Sequence, residues 1–189
     1  MEQNFDERAG DVRGDTVHIQ DGGARDVYAT TVTLSRGGAR SVKADTVTVR
    51  QGGAQKVEAQ SIALKQGGAL SVAAERAEIV ASAAAFVRAN DARIGPSCRV
   101  GGLIAQQAVV EDSMVAAMLA RGEARLDQSA VGVVVSNRAV LSGSAVGLAV
   151  AEVVEGDVRV QVKPQVAVLF GAALGAALGL LVLIGRRIR

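Results

Sequence analysis

Few side chains in this sequence have the type and spacing that chemistry needs. The chain contains one His, one Cys, one Tyr and no Trp. A single His excludes a multi-histidine metal site, and a single Cys excludes an intrachain disulfide. His18 lies between Val17 and Ile19, which are predicted to face inward, so its imidazole is predicted to face outward. We interpret His18 as a solvated surface residue, since the sequence offers it no catalytic partner.

Two further features also fail to form a catalytic site. Cys98 lies in the turn-forming segment Pro96-Ser97-Cys98-Arg99, and a lone thiol without a His in reach is normally structural. Repeated Gly-Gly-Ala triplets lack the helix and the Lys-Ser/Thr pair that follow a phosphate-binding loop, so we expect them to form tight corners. The sequence therefore predicts no catalytic, cofactor-binding or metal-ligating residue, and we expect a protein that is not an enzyme.

The composition favours strands and gives no signal for nucleic acid. Apolar residues make up 49% of the 189-residue chain, but aromatic residues make up only 2%. An interior of small and β-branched side chains suits stacked strands better than a helix bundle. The formal net charge is +2, and three of the last four residues are Arg, so the rest of the chain is nearly neutral. We therefore expect no nucleic acid partner.

A 15-residue repeat organises most of the chain. The triplet Gly-Gly-Ala begins at Gly22, Gly37, Gly52 and Gly67. Three apolar columns recur with the same period: Val12, Val27, Val42, Val57, Val72 and Val87; Val17, Val32, Val47, Ile62, Ala77 and Ala92; and Ile19, Leu34, Val49, Leu64, Ile79 and Ile94. Within each unit the inward positions are two residues apart, which is the spacing of a strand.

Each unit is predicted to form one coil of a three-sided parallel β-helix. Inward pairs alternate with two outward residues, which are enough to turn a corner. Stacked coils lie about 4.8 Å apart and pair the backbone groups of each face with the coils on either side. The repeat predicts about nine coils of 15–16 residues between Val12 and Val150. The predicted fold class is all-β, a β-solenoid.

The repeat drifts to 16 residues after Ile94. It then predicts inward Leu103, Ala105, Ala108 and Val110, followed by inward Leu119, Ala124 and Leu126. Arg121 falls in a column that otherwise holds Gly, Ala or Ser. Because an unpaired charge is costly to bury, we expect a local bulge at Arg121.

The C-terminal part of the sequence predicts one transmembrane α-helix. Val166 to Ile184 contains no charged residue and is followed by an Arg-rich tail. As a helix this stretch would be about 28 Å long, close to the ~30 Å hydrocarbon core of a bilayer. Gly171, Gly175 and Gly179 share one helix face, which favours close packing of two such helices. The predicted organisation is a flexible N-terminal segment at 1–11, a solenoid at 12–163, and a membrane anchor with a basic tail at 164–189.

The predicted orientation places the solenoid in the cytoplasm. Residues 1–14 are acidic and polar and contain no apolar signal-peptide region. The Arg residues after the predicted span favour the opposite orientation, by the positive-inside tendency. We give more weight to the missing export signal, because the solenoid is far larger than the tail.

The stacked units resemble the bactofilins, a family of polymer-forming bacterial cytoskeletal proteins. The resemblance rests on Val-x-Gly/Ala-x-x-Val-x-Ile units, beginning with Val12-Arg13-Gly14-Asp15-Thr16-Val17-His18-Ile19, and covers about Val12 to Val150. It implies a three-sided β-helix that assembles end to end into nonpolar filaments without nucleotide. It also implies attachment to the bacterial cytoplasmic membrane and a scaffold role for envelope enzymes. The strict Gly-Gly-Ala triplet and the C-terminal span depart from the family, which usually reaches the membrane through a short N-terminal segment.

We expect a membrane-anchored, non-catalytic scaffold that self-associates. An open solenoid end exposes unpaired strand edges, so the first coil, with Val12, Val17 and Ile19, is predicted to contact another copy. Pairing of the predicted spans would add a second contact. The expected partners are membrane lipid, further copies in an oligomer or filament, and envelope or membrane proteins.

Three alternatives come from other classes of protein. They are a non-catalytic accessory subunit of a larger membrane complex, an extracytoplasmic glycan-binding module, and an enzyme. Exposed aromatic stripes would favour a glycan-binding surface, and the chain has only Tyr28 to offer. Clustered His, Asp and Glu would favour an enzyme, and the sequence shows no such cluster. The sequence does not separate a self-polymer from a subunit of a hetero-complex.

Overall fold

The repeat folds into a parallel β-solenoid of about ten turns. The structure is a computed structural model and describes residues 2–5 and 10–156. Equivalent residues of consecutive turns lie in register, as in Val32 beside Val47 and Val47 beside Ile62. For the part of the chain that is described, the predicted all-β solenoid is confirmed.

Almost every turn is one long strand. The strands are β1 (Glu2–Phe5), β2 (Val12–Gln20), β3 (Gly23–Ser35), β4 (Gly38–Arg50), β5 (Gly53–Lys65), β6 (Gly68–Val80), β7 (Ala83–Ile94), β8 (Arg99–Ala105), β9 (Gln107–Glu111), β10 (Met114–Asp127), β11 (Ala130–Ser142) and β12 (Ala145–Gly156). Strands β8 and β9 belong to one turn, and together they pair with β7 on one side and β10 on the other. The order of strands in the sheet therefore follows the order of the turns along the chain.

The core consists of the predicted apolar columns stacked along the solenoid. Val17, Val32 and Val47 succeed one another in one column, and all three are fully buried. Equivalent β-branched side chains pack on one another from turn to turn, and burying each contributes about 1.5–3 kcal/mol. In β4 the inward residues come as pairs two positions apart, as the repeat predicts.

Each full turn contains one sharp corner, which interrupts strand pairing. A residue with φ between 44° and 60° lies at each of these corners: Asp21, Arg36, Gln51, Gln66, Ala81, Ser97, Asp112, Gln128 and Gly143. In the first turns this residue precedes the first glycine of Gly-Gly-Ala. The glycines of the triplet therefore do not supply the left-handed backbone, and their requirement has another cause, described below.

The extra residues of the two longer turns lie outside the inward columns. One falls in the segment between Ile94 and Ser97, after which Ala83 pairs with Arg99. The other falls where the pairing of β10 with β11 shifts, between Ala120 and Glu123. Arg121 lies in this irregularity and is exposed, so the predicted bulge is confirmed. The bulge keeps the guanidinium out of the core.

The position of the bulge corrects one predicted core residue. A spacing of 16 residues from Leu103 places Leu119 inward, but Met118 is the residue that pairs with Leu103. Met118 is 2% exposed and Leu119 is 39% exposed, so the Leu119 prediction is wrong. The strand keeps its 15-residue register as far as Ala120, because the ladder of β10 with β8 is undisturbed up to that residue.

The described strands extend beyond the predicted solenoid at its start. Glu2–Phe5, in the segment that the sequence assigns to a flexible leader, pairs in parallel with Thr16–Ile19. The chain divides into two compact units, Met1–Arg159 and Val160–Arg189. The predicted span Val166–Ile184 and its three glycines lie outside the described residues. Within the residues that are described, no helix is long and apolar enough to cross a membrane.

Candidate interaction surfaces

One inward column changes chemistry halfway along the solenoid. We call it the corner column, because its residues directly follow the left-handed corners: Gly22, Gly37, Gly52 and Gly67, then Ser82, Cys98, Ser113, Ser129 and Ser144. In the first turns the backbones approach closely here. A Cβ at Gly37 would lie 2.5 Å from the carbonyl oxygen of Gly22, and a Cβ at Gly52 would lie closer still to that of Gly37. Glycine is required because the neighbouring turn occupies the space of a side chain.

In the later turns the corner column carries a ladder of buried hydroxyl groups. The backbone N–H of Cys98 donates to Ser113 Oγ at 3.0 Å, and that of Ser113 donates to Ser129 Oγ at 3.3 Å. The N–H of Ser129 donates to Ser144 Oγ at 3.1 Å, and Ser129 Oγ donates onward to the carbonyl oxygen of Asp127 at 2.7 Å. The backbone N–H groups of Cys98, Ser113 and Ser129 are thus each paired with a side chain of the next turn, as buried polar groups require.

Cys98 belongs to the corner column, and its thiol is structural. The side chain is 2% exposed, and its Sγ lies 3.3 Å from the carbonyl oxygen of Ile79. His18 lies in the first turn, in register with Thr33 on the outside. At about 4.8 Å per turn, the five turns between them separate the thiol and the imidazole by roughly 24 Å along the solenoid. The chain's one Cys and one His therefore cannot act as a pair.

The outer surface of the first turns carries paired charges. Glu58 lies between two Lys side chains: Oε1 is 2.6 Å from Lys56 Nζ, and Oε2 is 3.9 Å from Lys43 Nζ. The hydrogen bond and charge of Lys56 lower the pKa of the Glu58 carboxyl, and Glu58 raises the pKa of Lys56 by the same interactions. The guanidinium of Arg13 covers the ring of Tyr28 at 5.4 Å. Alternating signs make this a solvated surface rather than a basic stripe.

In the last turns the same outward columns are apolar, and we call this surface the apolar ridge. It consists of the outward residues of three consecutive turns: Met114, Ala116, Ala117 and Leu119; Ala130, Gly132, Val133 and Val135; Ala145, Gly147, Leu148 and Val150. All twelve lack a charge and a hydrogen-bonding side chain. Met114, Leu148 and Val150 are 58%, 42% and 54% exposed. A continuous apolar surface of this kind is typical of an interaction site.

The apolar ridge is convex and rests on a tightly packed backbone. It follows one corner of the coil, at Ala116–Ala117, Gly132–Val133 and Gly147–Leu148, and extends onto the faces on both sides. A Cβ at Gly147 would lie 2.6 Å from the carbonyl oxygen of Gly132, so the turns touch along this corner. The exposed side chains of the ridge therefore stand on closely packed backbone.

The two ends of the described solenoid differ. At the last turn, Val154 continues the column of Ala124 and Ala139 but is 46% exposed, whereas both alanines are fully buried. Among the described residues, no turn covers this side of β12. The residues after Gly156 lie outside the described part of the chain.

At the first end, Val12, Val17 and Ile19 are buried. The backbone of β1 pairs along Thr16–Ile19, so a contact at Val17 and Ile19 would have to involve β1. The end contact at these three residues stays a prediction, as does helix packing through Gly171, Gly175 and Gly179.

Neither the hydroxyl ladder nor the apolar ridge is predicted by the inward repeat. The ridge has a signal in the outward positions, where Leu119, Val135 and Val150 replace the polar residues of the first turns. The hydroxyl ladder has a weaker signal in the sequence, which is the change from Gly to Ser in the inward-facing corner column. The described residues contain no group of three or more His, Cys, Asp and Glu suited to a metal ion.

No protein-family model, curated protein or solved structure matches this chain.

Proposed function

We propose that this protein is a membrane-anchored structural scaffold that assembles from solenoid subunits, as the bactofilins do. The observation that carries the proposal is the in-register parallel stacking of about ten turns, a repeat that another copy can extend at a terminal strand edge. Another solenoid end would pair with such an edge and cover the apolar columns there. Ten turns at about 4.8 Å give a rod roughly 45 Å long, a shape suited to a building block.

The proposed role involves no catalysis. Cys98 is buried in the corner column, and His18 lies on the outside about five turns away. The outer surfaces instead divide into a charged region and an apolar region, an arrangement that supports binding to neighbours.

The second contact of the proposed assembly lies at the first turn. Val12, Val17 and Ile19 form its columns, and β1 supplies the strand that lies along Thr16–Ile19. An incoming end would pair with the outer edge of β1 and of the start of β2. Ends of this kind give an assembly held by backbone hydrogen bonds and apolar columns, without nucleotide.

Membrane attachment in the proposal rests on the sequence of Val166–Ile184. Two copies would pack their spans through Gly171, Gly175 and Gly179, while the solenoid faces the cytoplasm. Protease treatment tests the orientation: we expect the solenoid to be protected in intact cells and digested in inverted vesicles. Digestion from the outside of intact cells would reverse the proposed orientation.

Electron microscopy and cross-linking of the full-length protein in mild detergent test the assembly. We expect oligomers or filaments, and we expect Val154→Asp to abolish them because it places a charge in the end contact. Val153→Asp is the matched control, since Val153 is 42% exposed in the same turn but points outward. A wild-type chain that stays monomeric at every accessible concentration, in detergent and on membranes, would contradict self-assembly and favour the accessory-subunit alternative.

A further inference from the structure

We propose that the apolar ridge docks into the interface of a lipid bilayer, so that the last turns of the solenoid lie on the membrane surface. The inference rests on the proposed membrane anchoring and adds a second membrane contact, made by strands. Its basis is a set of exposed apolar side chains, of which Met114, Leu148 and Val150 project furthest.

The solenoid fold does not require these residues to be apolar. Leu119, Val135 and Val150 lie in one column, and the same column holds Lys43 and Glu58 in the first turns. Equivalent backbone positions thus accept charges at one end of the solenoid and carry none along the ridge. Apolar residues that the core does not need point to a partner outside the described chain.

The shape of the ridge favours lipid over a folded partner. The ridge is a convex corner, and the backbones of Gly132 and Gly147 are in close contact beneath it. A folded protein would need a complementary groove to cover both faces. Lipid chains rearrange around a projecting edge, and apolar groups that lie in the interface insert about 5–10 Å.

The sequence beyond the described strands brings lipid within reach. Gly156 ends β12, and Val166 begins the uncharged stretch ten residues later. Ten residues span at most about 36 Å when fully extended. The apolar ridge lies in the three turns that precede this connection, whereas the turns furthest from it in sequence carry the charged surface.

The charges beside the ridge predict which lipids suffice. Arg121 and Arg138 lie next to it on one side together with Glu123 and Glu152, and the exposed Asp112 and Asp127 lie next to it on the other side. Mixed signs give no net attraction to anionic headgroups. Docking should therefore occur on zwitterionic phosphatidylcholine bilayers.

Single-cysteine labelling of the full-length protein tests the inference. The native thiol is first removed by Cys98→Ser, which places at position 98 the residue type found in the other late turns of the corner column. An environment-sensitive fluorophore is then attached to a new Cys on the ridge, introduced by Leu148→Cys or Leu119→Cys. The control is Ser142→Cys, an exposed position at another corner of the coil. Each variant is reconstituted into phosphatidylcholine vesicles with and without a nitroxide on the acyl chain.

We expect the ridge labels to emit at shorter wavelength than the Ser142 label and to be quenched by the lipid nitroxide several-fold more strongly. A blue shift without nitroxide quenching would mean that protein, such as a second copy, covers the ridge, and would overturn the inference. Ridge labels that behave like the control, in a chain that floats with the vesicles, would overturn it while leaving the anchoring intact. A chain that does not float with vesicles would overturn both proposals.

Discussion

The first and last turns of this solenoid share a backbone but differ in the chemistry placed on it. Both have a left-handed residue at the sharp corner, at Gln51 in one and Gln128 in the other. After it comes Gly52 in the first case, pressed against the neighbouring turn, and Ser129 in the second, hydrogen bonded to the next turn. One corner conformation is therefore compatible with two kinds of packing, a bare backbone contact and a hydroxyl ladder.

The outer surfaces of the two regions differ as much as the corners. Lys43, Lys56 and Glu58 form an exposed ion cluster on columns that carry Val133, Val135 and Val150 further along. Apart from the corner column, the inward columns stay mainly apolar from the first turns to the last. The comparison shows that the core pattern defines the fold, while the corner column and the outward positions are free to specify packing and partners.

Substitutions at the inward apolar positions should reduce the stability of the solenoid more than any other change. We expect Val47→Asp to destabilise the solenoid by several kcal/mol, because it buries a charge without a partner between Val32 and Ile62. Thr48→Asp is the control, and it should be nearly neutral because Thr48 points outward. Denaturant unfolding midpoints measure both, and equal midpoints would refute the assignment of inward columns.

Substitutions in the corner column should have the second-largest effect on stability, and they test whether the two regions pack differently at the corner. We expect Gly52→Ala to cost about 1–3 kcal/mol, because its Cβ would overlap the carbonyl oxygen of Gly37. Gly52→Ser should cost as much, although Ser occupies this column in later turns. Gly68→Ala is the control, since a Cβ there has 3.7 Å to its nearest neighbour. A Gly52→Ser protein as stable as the wild type would show that the two kinds of corner are interchangeable.

Removing one member of the hydroxyl ladder should be costly in the later turns. Ser129→Ala takes away the acceptor of the Ser113 N–H and leaves that buried group unpaired. We expect a loss of about 1–3 kcal/mol in the free energy of unfolding. Ser142→Ala, at an exposed position, should change it little. A Ser129→Ala variant with unchanged thermal stability would mean that the ladder contributes nothing to the fold.

Ser136 provides a test of opposite sign in the same turn. Its Oγ is buried and has no hydrogen-bond partner within the described chain, and the column holds Ala105 and Ala120 in earlier turns. We expect Ser136→Ala to stabilise the protein by about 1 kcal/mol, since it removes an unpaired buried hydroxyl. Destabilisation on thermal unfolding would show that Ser136 has a partner after all.

The exposed ion cluster of the first turns should give the smallest effect. Because folding lowers the pKa of Glu58, its ionised carboxyl stabilises the protein at pH values above the ordinary carboxyl pKa. This stabilisation is lost as the pH falls through the lowered pKa. Because folding raises the pKa of Lys56, its charged amino group stabilises the protein at pH values below the ordinary Lys pKa. This stabilisation is lost as the pH rises through the raised pKa. Glu58→Gln should therefore lower the unfolding midpoint slightly near neutral pH and not at strongly acidic pH. Glu75→Gln is the exposed control, and an equal effect of both would exclude a specific role for the cluster.

Much of the fold can be predicted from the spacing of apolar residues along the chain. The predictions are wrong where that spacing does not show how an extra residue is accommodated. The inward columns of Val17 and Val47 are predicted because side chains alternate along a strand. Leu119 is misplaced because a count of residues between columns does not show where an insertion is absorbed. The structure absorbs it at Arg121, after Met118 has taken the inward position.

The candidate surfaces are harder to predict than the core. Outward positions carry no periodic constraint, so Leu148 and Val150 mark a surface only when the neighbouring turns are placed beside them. The hydroxyl ladder likewise depends on distances between turns that lie 15 or 16 residues apart in the chain.

A 15-residue period with alternating apolar positions already requires the chain to coil, because stacked coils bury the columns and pair the backbone at the same time. The need for glycine at Gly52 and the path of the apolar ridge follow from the three-dimensional fold alone. Both depend on the contact of one turn with the next. Spacing along the chain fixes which side a residue faces, whereas stacking fixes how near it lies to its neighbours, and it is this nearness that selects glycine or serine and joins separate apolar residues into one surface.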